Sequence, residues 1–220
     1  MFDFTGCTES PQKNKSIKDD LCTLEIHSEI LNNEWIYLYR LVPYVKVIDS
    51  INLNSKFSSI NFPNTSFTRF GIGNSNDLNV FIASKDTLQV FINNFNPLEV
   101  LINNDLYNNA LIKYKNESRH INAQIDAFFP EIQRARLAND SDKILEINNA
   151  IKNIETRQLE HSITYIKTNE SSFVSIMILH DLLKNERVSM HEAQELYAQI
   201  DHTFKNTQEA RIIEQILILN

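Results

Sequence analysis

The chain reads as an α+β protein: an N-terminal antiparallel β-sandwich or partly open barrel over 21–102, then an all-α region over 103–220. Three observations predict this. Short apolar segments, separated by turns rich in Asn, Ser and Pro, run as far as Ile102. A three-four spacing of apolar residues then holds from Tyr107 to Tyr165, the period of a helix face. After Glu170, three helix-start signals follow in close order. Residues 1–20 are polar and aperiodic and read as a flexible tail.

Within the β part, Leu24 and Ile26 alternate with Thr23, Glu25 and His27, as in a half-buried strand. The stretch 35–42 is a dense aromatic and aliphatic run, suited to a strand covered on both faces. Val45, Val47 and Ile48 give another strand, which Asp49-Ser50 would end as a side-chain-capped turn. Further strands are expected over 56–62, 66–72, 78–83, 87–92 and 98–102. Asn32-Asn33, Pro63-Asn64, the stretch 73–77 and Lys85-Asp86 supply turns between them. Strands this short at this spacing point to the sandwich or partly open barrel. Cys22, at the start of a strand, reads as a small buried hydrophobe.

A long helical hairpin is expected over 104–168. Tyr107, Leu111, Tyr114, Ile121, Ile125, Phe128 and Ile132 make one stripe. Ile144, Ile147, Ile151, Ile154, Gln158, His161 and Tyr165 make the facing one. The polar turn 138–141 joins two arms that should pack antiparallel at a small crossing angle. At 1.5 Å per residue, an arm of about thirty residues is about 45 Å long. Pro130 lacks an amide and clashes with the carbonyl four residues back, so the first arm should break between Asp126 and Phe129. Gln158 and His161 read as polar interruptions of the seam rather than ligands.

Short helices follow over 171–184, 190–204 and 207–219. Ser171 or Ser172 caps the first, whose side chains are apolar nearly all round, so other elements must enclose it. Ser189 to Glu192 is a capping box, with Val188 and Ala193 at the staple positions. Met190, Ala193, Tyr197, Ile200 and Phe204 mark its inner face. Asn206 to Glu209 repeats the capping pattern, and Ala210, Ile213, Ile216 and Leu217 mark the last helix.

Two phrases carry a family resemblance. From Tyr165 to Leu217 the order Asn169-Glu170-Ser171-Ser172, an apolar helix, then Leu196-Tyr197 and Arg211-Ile212-Ile213 resembles the helical region ahead of the thioredoxin-like domain in Bacteroidetes-type, TlpA-like thiol-disulfide oxidoreductases. Glu170 replaces that pattern's proline and Ala210 its glycine. The stretch Val47-Ile48-Asp49-Ser50 through Lys56-Phe57 is similar to the small β domain of unknown function that opens the same family. The resemblance implies an exported accessory region without the Trp-Cys-x-x-Cys domain that carries the family's redox activity. These residues would then have no catalytic role, no cofactor and no metal.

Phe4-Thr5-Gly6-Cys7 resembles the end of a lipoprotein signal, with Cys7 as the lipid anchor and the polar tail as a tether. Asp3 and the lack of a preceding apolar stretch depart from that pattern, and the alternative is a tail with an incidental Gly-Cys. The implied location is the periplasm or cell envelope. A net charge of −7 carries no basic footprint for nucleic acid. Cys7 and Cys22 form no C-x-x-C, the six His show no metal-ligand spacing, and Gly71-x-Gly73 is too short for a phosphate loop. The expected role is therefore a scaffold for anchoring, spacing, client contact or self-association through the hairpin. The alternative is an envelope protein that binds a glycan or peptide in a groove floored by Trp35, Tyr37 and Tyr39.

Overall fold

The computed structural model describes residues 21–29, 35–63, 67–73, 78–83, 87–92, 101–102 and 105–219. Its strands are β1 (Leu21–Ser28), β2 (Trp35–Arg40), β3 (Lys46–Asn52), β4 (Phe57–Pro63), β5 (Thr68–Gly73), β6 (Leu78–Ala83), β7 (Thr87–Ile92) and β8 (Leu101–Ile102). Its helices are α1 (Leu106–Asp126), α2 (Phe129–Leu137), α3 (Ser141–Thr168), α4 (Phe173–Lys184), α5 (Met190–Gln199) and α6 (Gln208–Leu219), with a 3-10 turn at His202–Phe204. The protein is α+β.

The strands form two four-stranded sheets, ordered β4-β1-β7-β8 and β3-β2-β5-β6. The pairings are antiparallel except β1 with β7, which runs parallel and sets Thr23 opposite Thr87. The purely antiparallel expectation is corrected at that pair. Among the described residues the outer strands of a sheet do not pair with one another, so neither sheet closes into a barrel.

Strand alternation sorts the core into layers. Leu24, Ile26 and Val90 of one sheet share an apolar cluster with Leu38, Phe70 and Phe81 of the other. On the back of β6, Val80 and Ile82 join a second cluster built by the helices. The helices therefore lie against the β5–β6 side of one sheet and leave its β2–β3 side uncovered. β3 also runs through Asp49-Ser50 instead of ending there. Asp49 Oδ1 accepts the Ser50 amide at 2.7 Å inside the strand. The local irregularity is a register shift opposite, between Leu38 and Tyr39.

β6 is an outer strand, and α1 covers its open edge. The Asn108 amide nitrogen donates to Ile82 O at 2.8 Å, and its oxygen accepts from Ile82 N–H at 2.8 Å. Lys115 Nζ donates to Val80 O at 3.2 Å. Burial, then the nearby Arg119 charge, pushes the Lys115 ammonium down to about 8. Edge groups that would otherwise invite another strand are thereby satisfied.

The first helical arm breaks where Pro130 requires it. α1 ends at Asp126, and α2 begins at Phe129 with proline in its first turn. Both pack along α3. At the tip, Asn139 adopts φ 54°. The Asp140 amide bonds Ala135 O at 2.9 Å and the Asn139 amide bonds Arg136 O at 3.2 Å, the two bonds of a Schellman stop. Asp140 then caps α3 by accepting from Lys143 N–H at 2.9 Å. Gln158 and His161 do interrupt the seam. Gln158 donates to Ser118 Oγ at 3.1 Å, and the His161 ring stacks on Tyr114 with centroids 5.5 Å apart.

α4 is enclosed by the other helices, with Phe173, Ile176 and Leu179 fully buried. Ser172 is its cap and Ser189 caps α5. α5 is shorter than expected, because Ile200 turns extended and Phe204 reaches the core from the 3-10 turn. Met190 is exposed and not on the inner face, which Ala193 and Leu196 form. α6 is capped by Thr207, whose Oγ1 accepts the Ala210 amide at 3.3 Å. Among the described residues no helix is long and apolar enough to cross a membrane.

Candidate functional site

Two regions carry side chains that the packing alone does not explain. The first is the outer face of β2. Its sequence WIYLYR alternates, with Leu38 in the core and Trp35, Tyr37 and Tyr39 on the opposite face. Trp35 is 55% exposed and Tyr37 37% exposed. The Tyr37 and Tyr39 rings lie 6.3 Å apart and tilted. This corrects the expectation of a strand covered on both faces, because Trp35 and Tyr37 stand on a part of the sheet that the helices leave open. Val47 of β3 lies beside Tyr39 and is also exposed. Cys22 is fully buried in the inter-sheet core, as its sequence context implies. Cys7 lies outside the described residues.

The second region is a polar network where β5 meets the helices. Phe70 faces the inter-sheet core, so its neighbour Arg69 points to the helical side. Arg69 donates to Asp181 Oδ2 at 2.7 Å, and its other terminal nitrogen lies 3.0 Å from His180 Nδ1. His180 Nδ1 is also 2.9 Å from Asp181 Oδ1. That nitrogen serves one partner at a time: unprotonated it accepts from Arg69, and protonated it donates to Asp181. Glu209, at the start of α6, is 0% exposed. Its Oε1 lies 3.7 Å from Arg69 Nε, and among the described residues neither carboxylate oxygen has a hydrogen-bond partner.

The electrostatics follow from these positions. Burial pushes the Glu209 carboxyl up, and the Arg69 charge only partly offsets it. Burial also pushes Asp181 up, but hydrogen bonds from His180 and Arg69 outweigh it and hold Asp181 below the ordinary aspartate range. A carboxyl raised on folding adds stability below its unfolded pKa and loses it as pH rises through the folded value. Asp181 acts in the opposite sense and loses its contribution in acid. Stability should therefore fall as pH climbs from the ordinary glutamate value of 4.5 through the folded Glu209 value. Denaturation midpoints across pH should show this slope in the native chain and a flatter one in Glu209→Gln. An identical slope in both would remove Glu209 as its source.

Sequence reasoning missed this network. Its members lie on β5, α4 and α6, and no local spacing relates them. The only local signals were His180-Asp181 interrupting an apolar helix and Glu209 in a position read as a helix-start residue. Chemically, the cluster clamps sheet to helices with one arginine and two carboxylates. Among the described residues no group of His, Cys, Asp and Glu is placed to hold a metal ion. The chain matches no protein-family model and no curated protein.

Proposed function

We propose that this chain is a non-catalytic interaction module of a cell-envelope protein, and that two copies pair through the tip of its α1–α3 arm. In this reading the two sheets are the leaves of a sandwich, and α1 with α2 packs on α3 as a hairpin. The supporting observation lies at that tip. Neither apolar cluster contains a residue between Tyr114 and Leu159, so the distal helices project from the body. There Phe129, Leu137 and Leu145 are 65%, 85% and 61% exposed. All three lie on α2 and the first turns of α3, and exposed large apolar side chains on such a projection suit a protein contact. The phrases resembling TlpA-like thiol-disulfide oxidoreductases supply the context: an accessory region to a thioredoxin-like domain in the periplasm, anchored by a lipid on Cys7.

Sedimentation velocity tests the pairing. The native chain is expected to associate at micromolar concentration, and Phe129→Ser with Leu137→Ser and Leu145→Ser to be monomeric. Indistinguishable sedimentation of the two would sink the pairing. The flanking coding sequence tests the context: a downstream Trp-Cys-x-x-Cys domain supports it, and an unrelated domain there refutes it.

A second reading rests on the outward β2 face, where Trp35 and Tyr37 are exposed at alternate positions and offer a platform for a glycan or peptide. The chain has one tryptophan, so its fluorescence reports on that face directly. Oligosaccharides or peptides that bind there must change Trp35 emission, and unchanged emission across such a panel removes this reading.

A further inference from the structure

A cleft of about 460 Å³ opens where the end of β2 and the β2–β3 connection meet the start of α6. Its charged groups are Arg40 and Arg211, and no carboxylate lines it. In a protein with 28 acidic residues against 21 Lys and Arg, two guanidinium groups without a facing acid are unexpected. Among the described residues neither has an ion-pair partner. Arg40 Nε is buried and, among the described residues, has no hydrogen-bond partner. A buried donor left unpaired costs free energy, and an oxyanion is the ligand that satisfies it best.

The rest of the wall fits the same ligand. Gln208 starts α6 and Thr207 caps it, so the positive end of that helix's dipole borders the cleft. Glu209, on the same turn, does not line the cleft and pairs instead with Arg69. The lining also includes Val42, Pro43 and Phe67, which supply apolar surface. Phe67 holds φ 55°, and its ring packs edge-on against Tyr107 and Phe204, so that wall is braced by the helices. A non-glycine residue in that conformation persists only where its surroundings hold it.

We propose that this cleft binds a small organic anion. Its carboxylate or phosphate group sits between Arg40 and Arg211, and its apolar part rests on Val42, Pro43 and Phe67. The planar forks of arginine suit either group. The site is separate from the arm tip and from the β2 aromatic face, so it stands whether or not the scaffold reading holds.

Amide correlation spectra of the whole chain test it, titrated into the millimolar range with phenyl phosphate, benzoate and neutral benzamide. The two anions are expected to shift the amides of Arg40, Thr207, Gln208 and Arg211 saturably, and benzamide is not. The tighter of the two tells phosphate ligands from carboxylate ones. Arg211→Gln is expected to weaken binding about tenfold. Arg211 is exposed, so this change leaves the fold intact. Arg40→Lys keeps the charge without the fork and should weaken binding less than Arg40→Gln does. Absence of saturable shifts, equal shifts from benzamide, or unchanged affinity in Arg211→Gln would each overturn the proposal.

Discussion

Replacing Arg69 by methionine is expected to destabilise the fold by about 3–5 kcal/mol at neutral pH, the usual loss when one partner of a buried pair is removed. Among the described residues Arg69 is the ion-pair partner of the fully buried Glu209, and it also bonds Asp181 at 2.7 Å. Asp181 is half exposed and can turn to water. Glu209 cannot, so in Arg69→Met it must take up a proton or stay charged without compensation. The loss should therefore shrink in acid, where protonation is easy. Arg69→Met with Glu209→Gln removes the stranded charge and should recover much of the loss. Denaturant midpoints for the four members of the cycle measure this coupling. A double variant as unstable as Arg69→Met alone would show that the arginine acts by filling space, not by charge.

Asn108→Asp should cost about 2–4 kcal/mol although it changes no volume, because a buried acceptor is left unpaired beside a new charge. The native amide both accepts from and donates to Ile82. A carboxylate keeps the first bond and turns an oxygen toward the Ile82 carbonyl. Asn108→Ala drops both bonds. Hydrogen exchange separates the two variants: the Ile82 amide stays protected in Asn108→Asp relative to the strand and loses protection in Asn108→Ala. A cost under about 0.5 kcal/mol for Asn108→Asp would mean that water replaces the side chain at this edge.

What could be read from sequence was whatever depends on near neighbours. The break before Pro130, the seam through Ile147 and Ile154, and the caps Ser172 and Ser189 each rest on residues within a few positions. β6 and β7 also fall where their alternation puts them. What could not be read depends on distant partners. The β2 aromatics suggested burial on both sides, but which face a helix covers is decided by where α1, α4 and α6 dock. Asp49-Ser50 has turn chemistry, yet pairing with Leu38 and Tyr37 holds it in a strand. Ile200 fits the period of α5, but the chain leaves the helix there. Arg69, His180, Asp181 and Glu209 meet only after both parts have folded. The Arg40–Arg211 cleft likewise joins a strand end to a helix start far along the chain.

The placement of β1 bears on how the chain is made. It is an inner strand, held by β4 on one side and β7 on the other. The segment that leaves the ribosome early must wait for Thr87–Ile92 before its second flank is satisfied. Until then it exposes a bare row of peptide groups, the kind of surface that recruits stray strands. Synthesis halted short of Thr87 should yield aggregating fragments, whereas chains extended past Ile92 can shield that row themselves.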